Sequence, residues 1–496
     1  MGKKKSVALM ILITIVTVAL CLLTIFPAFD IPFLIDGLPK SWNPVVLQYD
    51  LGADYGGGYY SYYYPEGVIT ESDYESLSAE SKEDYVAHKG LYLSTDPDFG
   101  IFTSKEDGLT SADVSENFKT SFKAAADKVA ARYVGKGYSD YSVSIVDDYS
   151  IRVSVPKYEA NAKAVITVFA YSSELEMLKG GAAIEGLEDA NVSDYVEKFS
   201  HGSLNGYAYV QVHLTKAGKE LVNTFKEELS AVSPGAPSSS AITLTFTVGE
   251  EKVVVYKDHI NNNTDIKVPV GYDNEVSNAQ TLAVLMQSAL KEGGLDVTLK
   301  SVASDSIVEY GAAYGENTLL LTYIAIAVVL AACIALPIVF FGKYGVTCAY
   351  STLGYLIIAG ICFAFITPAA FEFSLGTVAI FLFGLIVVNL LNVRAYSAIK
   401  AEFALGKTVE SSVKSGMKKV CFEIIDVYAV LVIGALAALI CGAGAFTMAL
   451  AALICFVAGA FLNLLWHRMI NVLMLSTSKN KFKYFRFVRE EDDDDE

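Results

Sequence analysis

The sequence has no cysteine between Asp30 and Asn317, a stretch that makes up more than half of the chain. The seven cysteines all lie in or beside apolar segments, at Cys21, Cys333, Cys348, Cys362, Cys421, Cys441 and Cys455. No two of them form a C-x-x-C pair. Their distribution excludes a disulfide framework and a thiolate metal site in the polar part of the chain. We interpret the cysteines as small apolar side chains that fill space between helices.

Charged residues are also scarce, at 19% of the 496 residues, and the formal net charge is -17. A nucleic-acid partner is not expected, because the neutralisation of phosphates requires clustered Lys and Arg. The five histidines are scattered without the spacing of metal ligands. The sequence therefore predicts no metal site.

Patterns for catalysis and nucleotide binding are missing as well. Gly406-Lys407-Thr408 resembles the end of a phosphate-binding loop, but Ala401 stands where the first glycine of that loop should be. Nothing resembles a Ser-His-Asp nucleophile arrangement in a convincing context. We therefore expect a protein that is not an enzyme and that needs no cofactor.

Apolar residues are abundant and make up 53% of the chain. Residues 6–29 carry no charge and outnumber the roughly 20 residues that cross a bilayer. We interpret them as a retained anchor, because the run is too long for a signal peptide and no A-x-A-like cleavage site follows it. Five further spans are predicted at about 318–341, 346–368, 373–393, 422–441 and 445–466.

The positive charges predict the orientation of these spans, since Lys and Arg mark the cytoplasmic side. Lysines precede the first span, Lys343 follows the second, a lysine-rich linker covers 394–421, and His467 and Arg468 open the basic tail. Six spans place all of these groups on one side, with both termini in the cytoplasm. The sequence thus predicts four parts, listed as an anchor (1–29), a large outer domain (30–317), the remaining bundle (318–470) and a tail with a solvated acidic end (471–496).

The outer domain combines helical and strand patterns, which is typical of split βαβ units. Apolar spacing predicts helices near 113–133, 160–169, 217–229 and 277–290, with Thr215 as the cap of the third. Alternating residues predict strands near 141–146, 151–155, 207–214, 241–248, 252–257 and 297–302. The fold class is therefore α+β, with a six-helix transmembrane bundle and a large mixed α/β domain between its first two spans.

Polar side chains inside the spans are the candidates for function, because a charge at the bilayer centre costs about 2.5–3.5 kcal/mol on insertion scales. Asp426 and Glu423 share one face of the fifth predicted span, and Asn389 and Asn392 share one face of the fourth. A carboxyl group buried there could bind and release protons near neutral pH. We take these four residues as candidates for a proton relay, and we expect Asp426→Asn to preserve assembly but to slow transport.

Each of these residues also has a simpler interpretation. Asp426 would reach water or pair with a lysine if it lay at the membrane interface, and the asparagines would only bond to neighbouring helices. Arg394 and Arg468 lie at the predicted cytoplasmic ends of helices, where long basic side chains extend towards water.

Four blocks of the sequence resemble one family in their order and spacing. Residues 51–58 are similar to an L-G-x-D-x-x-G-G signature that follows the first span, through Leu51, Gly52, Asp54, Gly57 and Gly58. Residues 311–318 resemble the G-x-x-x-G-x-[DN]-S stretch that enters the second span. Residues 392–408 resemble N-V-x-x-x-x-x-I-x-x-E-x-x-x-G-K-S, and residues 415–426 resemble A-G-F-K-R…I-L-D. The candidate site residues at the cytoplasmic ends of the helices are Gly406, Lys407, Gly416 and Arg468. The family is SecD/SecF, and the large outer domain is typical of its SecD branch.

The resemblance implies a bundle of the resistance-nodulation-division type and an outer domain of ferredoxin-like βαβ units that handles unfolded preproteins. It implies a bacterial cytoplasmic membrane protein that uses the proton motive force to assist late stages of protein translocation. It also implies SecF and SecYEG as partners, with SecA and YajC as further candidates.

One departure from the family bears on proton coupling. SecD carries an aspartate two residues before the asparagine that Asn392 matches, and this chain has Leu390 there. Leucine cannot carry a proton, so either Asp426 does this work, or SecF supplies the site, or coupling is poor. The alternatives for function are a small-molecule exporter of the same superfamily, a ligand receptor, and a non-coupled scaffold beside SecYEG.

The tyrosine-rich segment 59–64 is a second unusual feature. It is either an aromatic surface for unfolded chains or a part of the core of the outer domain, since tyrosine has a large apolar body.

Overall fold

The structure is a computed structural model, and it describes residues 3–25, 29–30, 41–42, 51–105, 108–137, 141–157, 161–185, 191–232, 241–260, 265–272, 275–365, 372–441, 446–478 and 484–485. They form two compact units. The membrane unit consists of Met1–Gly56 and Gly311–Glu496, and the α/β unit consists of Gly57–Tyr310. The acidic end at 490–496 lies outside the described residues.

The helices of the two units are numbered in chain order. They are α1 (Lys3–Ile25), α2 (Ala53–Gly56), α3 (Glu71–Glu75), α4 (Ala79–Lys82), α5 (Glu116–Lys136), α6 (Ala162–Phe169), α7 (Lys216–Phe225), α8 (Val276–Glu292), α9 (Thr318–Phe341), α10 (Lys343–Phe365), α11 (Leu375–Ala404), α12 (Val409–Cys441), α13 (Phe446–Phe461) and α14 (His467–Thr477). A π-helical turn, Leu462–Trp466, joins the last two.

The strands are numbered in the same way. They are β1 (Phe29–Asp30), β2 (Ser41–Trp42), β3 (Gly58–Tyr63), β4 (Val68–Thr70), β5 (Tyr85–His88), β6 (Leu91–Ser94), β7 (Ser142–Val146), β8 (Ser150–Pro156), β9 (Glu176–Lys179), β10 (Ala182–Ala183), β11 (Val196–Leu204), β12 (Tyr207–Leu214), β13 (Leu244–Val248), β14 (Glu251–Val255), β15 (Asp265–Tyr272) and β16 (Val308–Tyr310).

Among the residues that the structure describes, six helical segments are long and apolar enough to cross a membrane, so the protein is a multi-pass membrane protein. They are Lys4–Leu22, Thr318–Phe341, Lys343–Phe363, Leu375–Ala404, Val409–Ile440 and Phe446–Thr477. The number of spans expected from the sequence is therefore confirmed. The second span begins and ends at the expected residues, whereas the last three are longer than expected.

Residues 394–421, expected as a lysine-rich linker between spans, are mostly helical, since α11 and α12 continue through them and leave only a short turn at 405–408. Apolar side chains such as Ile399, Phe403, Val413 and Met417 are buried at helical spacing along this stretch. The lysines occupy the other face of the helices, so their charge does not interrupt the apolar stripe.

The α/β unit contains a four-stranded antiparallel sheet in the order β16-β3-β8-β7. Along the chain, α5 lies between β3 and β7, and α8 precedes β16. The hairpin between β7 and β8 turns at Asp147 and Asp148, which both have positive φ, a conformation that Asp adopts more readily than most residues. The strands expected near 141–146 and 151–155 are therefore confirmed.

The tyrosine-rich strand β3 contributes both to the core and to an open face of this sheet. Tyr63 is fully buried, and its hydroxyl lies 2.7 Å from that of Tyr133 and donates to the carbonyl of Ile166. Tyr60 and Tyr62 are half-buried, and their ring centroids lie 5.9 Å apart. Burial in the core therefore holds for Tyr63, while Tyr60 and Tyr62 lie together on the other face of the strand.

Three further sheets lie in the described part of the α/β unit, in the orders β4-β6-β5, β10-β9-β13-β14 and β11-β12-β15. The cap expected at Thr215 is confirmed, since its side chain accepts from the backbone N–H of Gly218 at 3.1 Å. The strand expected at 297–302 is wrong. Leu299 forms only an isolated antiparallel bridge with Pro65. The backbone contact between the two segments is short and includes the bond from the N–H of Lys300 to the carbonyl of Tyr64.

A buried arginine holds α5 against its neighbours. Arg132 donates to the carbonyls of Phe169 and Tyr171 at 2.7 Å, which satisfies acceptors at the C-terminal end of α6. Burial lowers the pKa of Arg132 to about 10, so the side chain remains charged at pH 7.

We predict that Gly58→Ala destabilises the α/β unit by about 1–3 kcal/mol, the usual cost of forcing atoms into a packed core. A Cβ atom at Gly58 would lie 2.2 Å from the carbonyl oxygen of Val155 on the paired strand. Thermal unfolding of the full chain in detergent measures the effect. The control is Gly311→Ala, whose new methyl group meets no atom within 4 Å. Equal stability of the two variants would contradict this account of β3.

Candidate functional site

A hydrogen-bonded network lies among the buried residues of the membrane unit. Tyr344 of α10 donates from its hydroxyl to the carbonyl of Asn392 on α11, at 2.9 Å. The same hydroxyl lies 2.8 Å from Nε2 of His467, the first residue of α14. Nδ1 of His467 lies 3.2 Å from Oγ of Ser351 on α10. All four residues are buried, so three helices meet at polar groups that are shielded from lipid.

The network assigns the positions of the protons. Because the Tyr344 hydroxyl gives its only proton to Asn392, Nε2 of His467 must carry a hydrogen and donate to Tyr344. Nδ1 is then an acceptor for the Ser351 hydroxyl. A second proton on Nδ1 would reverse this last bond, and Ser351 would donate instead to the carbonyl of Thr347, which lies 3.4 Å away. His467 can therefore gain a proton without leaving a donor unpaired.

A second limb of the network extends to α12. Asn463, in the π-helical turn, donates to the side-chain oxygen of Asn392 at 2.9 Å and to the carbonyl of Val388 at 3.0 Å. Its own oxygen accepts from the hydroxyl of Tyr428 at 2.6 Å. π-Helical turns are frequent at functional sites, and this one aims Asn463 at α11 directly before His467.

Asn389 and Asn392 both face the interior of the bundle. The side-chain oxygen of Asn389 accepts from the hydroxyl of Thr352 at 3.1 Å, and its amide donates to the carbonyl of Leu385. Asn389 therefore bonds to a neighbouring helix and to its own, whereas the side chain of Asn392 accepts from Asn463 and its buried Nδ2 has no partner among the described residues. None of the described Asp, Glu, Lys and Arg side chains bonds to His467, Tyr344 or Ser351, so the imidazole of His467 has only uncharged partners in this network.

The carboxylates expected to relay protons do not join this network. Asp426 is exposed on the outer surface of α12 and bonds to no residue that the structure describes. Phe422 and Val430, one turn to either side of it, are 69% and 71% exposed. Glu423 accepts two bonds from Arg394, at 2.8 and 2.9 Å, in a paired arrangement with the guanidinium group. Arg394 thus pairs with a carboxylate on the neighbouring helix, and both side chains remain partly exposed.

The matched residues at the ends of α11 and α12 have a structural explanation. Lys407 pairs with Glu402, and the hydroxyl of Ser415 donates to the same carboxylate at 2.9 Å. Gly406 has φ of 85°, as a residue that ends a helix often does. A Cβ atom at Gly416 would lie 2.8 Å from the backbone of Ile399, so glycine allows the two helices to approach closely.

The sixth span extends beyond its expected end at 466 and includes His467, which was expected at the start of the basic tail. His467 is 1% exposed, and α14 continues the sixth span to Thr477, whereas Arg468 is exposed as expected. Tyr484 and Phe485 are buried too. The hydroxyl of Tyr484 lies 2.8 Å from that of Thr347 and donates to Asn471, so this part of the tail closes over the same region of the bundle.

The block at residues 51–58 attaches the chain to one end of α11. Gly52 donates its backbone N–H to the carbonyl of Phe373 at 3.0 Å. Asp54 accepts from the backbone N–H of Leu375 at 3.1 Å, where the positive end of the helix dipole favours a carboxylate. Leu51 forms a parallel bridge to Phe373. Tyr55 stacks on Phe373, and its hydroxyl donates to Thr322 of α9. This block therefore bonds both to α9 and to the start of α11.

The boundary between the two units falls inside this block, between Gly56 and Gly57, and falls again between Tyr310 and Gly311. In the membrane unit, Ala313 donates its N–H to the carbonyl of Ala53. In the α/β unit, Tyr310 pairs with Gly58. The two places where the chain passes from one unit to the other, called the chain crossings, are therefore flanked within each unit by residues that bond to each other. Gly57 lies at the first crossing, and its φ of 70° is a conformation that glycine adopts readily.

Comparisons with known proteins find similarity in structure but not in sequence. No family model matches the chain, and no curated protein matches it in sequence. Among solved structures, the chain is similar to SecDF from Thermus thermophilus, which is described as a translocon-associated membrane protein. The TM-score is 0.41 at 14% sequence identity, over 94% of this chain. The chain spans 58% of the length of that protein.

We predict that Tyr344→Phe lowers the stability of the bundle by about 1–3 kcal/mol, because it leaves buried groups of Asn392 and His467 without their partner. Thermal unfolding in detergent measures the change. The control is Tyr323→Phe, since the hydroxyl of Tyr323 bonds to no described residue. If both variants unfold at the temperature of the unmodified protein, the network does not hold the helices together.

Proposed function

We propose that the protein is a SecD-like accessory subunit of the Sec translocase, which uses the proton motive force to assist late stages of protein translocation across the bacterial cytoplasmic membrane. One observation carries the proposal, namely where the four matched blocks lie. The first two lie at the chain crossings between the units, and the last two brace α11 against α12. Movement of the helices in the bundle would be transmitted to the outer domain through these places.

His467 is the group that binds the proton in this proposal. It is neutral in the described arrangement, with Nε2 donating to Tyr344 and Nδ1 accepting from Ser351. A proton on Nδ1 would place a positive charge in an apolar interior without a counter-ion, which is costly. Protonation therefore favours an arrangement in which water reaches the ring, and it drives the closing segment around Tyr484 away from the bundle.

The helix α11 transmits this change. Its middle carries Asn389 and Asn392 in the polar network, and its first turn holds Asp54 and Phe373 through the block at the first crossing. Because α11 is bonded both to the network and to the block at the first crossing, a rearrangement of the network also moves that crossing. The α/β unit then holds and releases segments of an unfolded preprotein on the outer side of the membrane.

Asp426 has a different role in the proposal. A carboxylate on an apolar helix face that borders lipid is unfavourable unless another protein covers it. We assign this face of α12 to the contact with SecF, within an assembly that also contains SecYEG, and with SecA and YajC as further candidate partners. The bundle would be of the resistance-nodulation-division type, with both termini in the cytoplasm. The strand–helix–strand–strand–helix–strand order of the four-stranded sheet supports a ferredoxin-like unit in the outer domain.

A scaffolding subunit without proton coupling is the second candidate function. Leu390, which stands in place of the family aspartate, is 62% exposed on α11 and cannot titrate. If His467 also never changes its protonation state, the protein would only hold the channel and its partners together.

The function is tested first by assembly and transport. We expect affinity-purified protein to bring SecYEG and SecF with it, and its removal to slow the appearance of a preprotein inside inverted membrane vesicles when a proton gradient is present. Dissipating the gradient should abolish the difference. Normal secretion together with increased sensitivity to small toxic compounds would instead identify an exporter.

The proton site is tested by His467→Gln, which keeps one donor and one acceptor but cannot take up a proton. We expect it to assemble and to reduce translocation to the level measured without a proton gradient. Asp426→Asn is the control, and we expect it to keep the response to the gradient, unlike the prediction from the sequence alone. The opposite pattern would move the proton path to the outer surface of α12.

A further inference from the structure

The strand β11 lies at the edge of its sheet, with β12 as its partner. The hairpin between them has a two-residue turn, Asn205-Gly206, so Leu204 and Tyr207 form a hydrogen-bonded pair. Pairs alternate along an antiparallel ladder. The backbone groups of Leu204, Gly202 and Ser200 therefore point to β12, and those of the residues between them point away from the sheet.

The outward-facing residues are Phe199, His201 and Ser203. Residues 199–204 contain no proline and no Asp, Glu, Lys or Arg, which are the usual means of protecting an exposed edge. Burial and the nearby Lys136 lower the pKa of His201, so its ring is neutral at pH 7. This part of β11 is an uncharged edge that can accept another strand.

A groove of about 360 Å³ borders this edge. Ala131 and Gly135 of α5 form one side of it, and their small side chains leave room beside the strand. Ala283, Val284 and Gln287 of α8 also line it. The size is within the range of sites that hold small ligands or short chain segments.

The side chain of Gln287 bonds to one of the outward-facing backbone groups of β11. Its side-chain oxygen accepts from the backbone N–H of Phe199 at 2.7 Å, in the manner of a carbonyl on a neighbouring strand. Its Nε2 group is buried and has no hydrogen-bond partner among the described residues. An unpaired buried donor is costly, and the carbonyl of a chain lying in the groove would satisfy it.

We propose that this groove binds an extended segment of an unfolded polypeptide as an additional strand on β11. The inference rests on the proposed function, which supplies unfolded chains as clients of the α/β unit. Backbone bonds to His201 and Ser203 would supply binding that does not depend on the client sequence, as in other cases of strand addition. Lys291 and Glu292, which line the groove with opposite charges, favour neither acidic nor basic segments.

The test uses the full chain in lipid nanodiscs and a fluorescent, soluble peptide of alternating threonine and valine. His201→Pro removes an outward N–H that β11 does not use to bind β12, and proline is tolerated on sheet edges. We expect it to weaken binding of the peptide by about five- to tenfold, the effect of losing a backbone hydrogen bond. The control His201→Val keeps the N–H and should bind within about twofold of the unmodified protein. Ser203→Pro repeats the test if His201→Pro does not fold.

Hydrogen exchange at single amides gives an independent readout. The peptide should slow exchange at His201 and Ser203 and leave Ser200 and Gly202 unchanged. Equal affinity of His201→Pro and His201→Val, or unchanged exchange at His201 and Ser203, would overturn peptide binding in this groove. It would leave open that the α/β unit binds unfolded chains elsewhere. Absence of any peptide binding would overturn both. Dimerisation through β11 in the absence of peptide would make a second copy the occupant and would also overturn the proposal.

Discussion

The hydrogen bond between His467 and Tyr344 is the interaction on which the membrane unit depends. Lipid offers no partner to a buried polar group, so each such group must be satisfied inside the protein. Tyr344 bonds to α11 and α14 at once, and this fixes three helices around one titratable ring. Apolar packing alone would hold the helices without specifying their rotation, since their outer faces are as apolar as much of their inner ones.

The same network explains why the matched sequence blocks lie where they do. Asn392 belongs to one block and to the network, and α11 connects it to the carboxylate of Asp54 at the start of the helix. Gly416 lets α12 approach α11, and Gly57 gives the first crossing the freedom of a positive φ. The blocks therefore combine one polar centre with the mechanical parts that surround it.

Much of the fold could be predicted, because strong periodicity leaves little choice. The second span and β12 begin and end at, or within a few residues of, the expected positions. The face on which Asp426 lies could not be predicted, because its span is apolar on every side and periodicity assigns no face. His467 was missed because it follows a long apolar run next to Arg468. The spacing of Asn463, His467 and Asn471, four residues apart, was the signal of a polar face. The burial of Tyr484 and Phe485 depends on contacts distant in sequence, which no local pattern predicts.

The nitrogen-15 spectrum of the His467 side chain, recorded in lipid bilayers as the pH is lowered, tests the central claim most directly. The account predicts the neutral ring with hydrogen on Nε2 at neutral pH and a doubly protonated ring at lower pH, together with loosening of the segment around Tyr484. A ring that stays neutral until the whole bundle unfolds, or that carries its hydrogen on Nδ1, would contradict it.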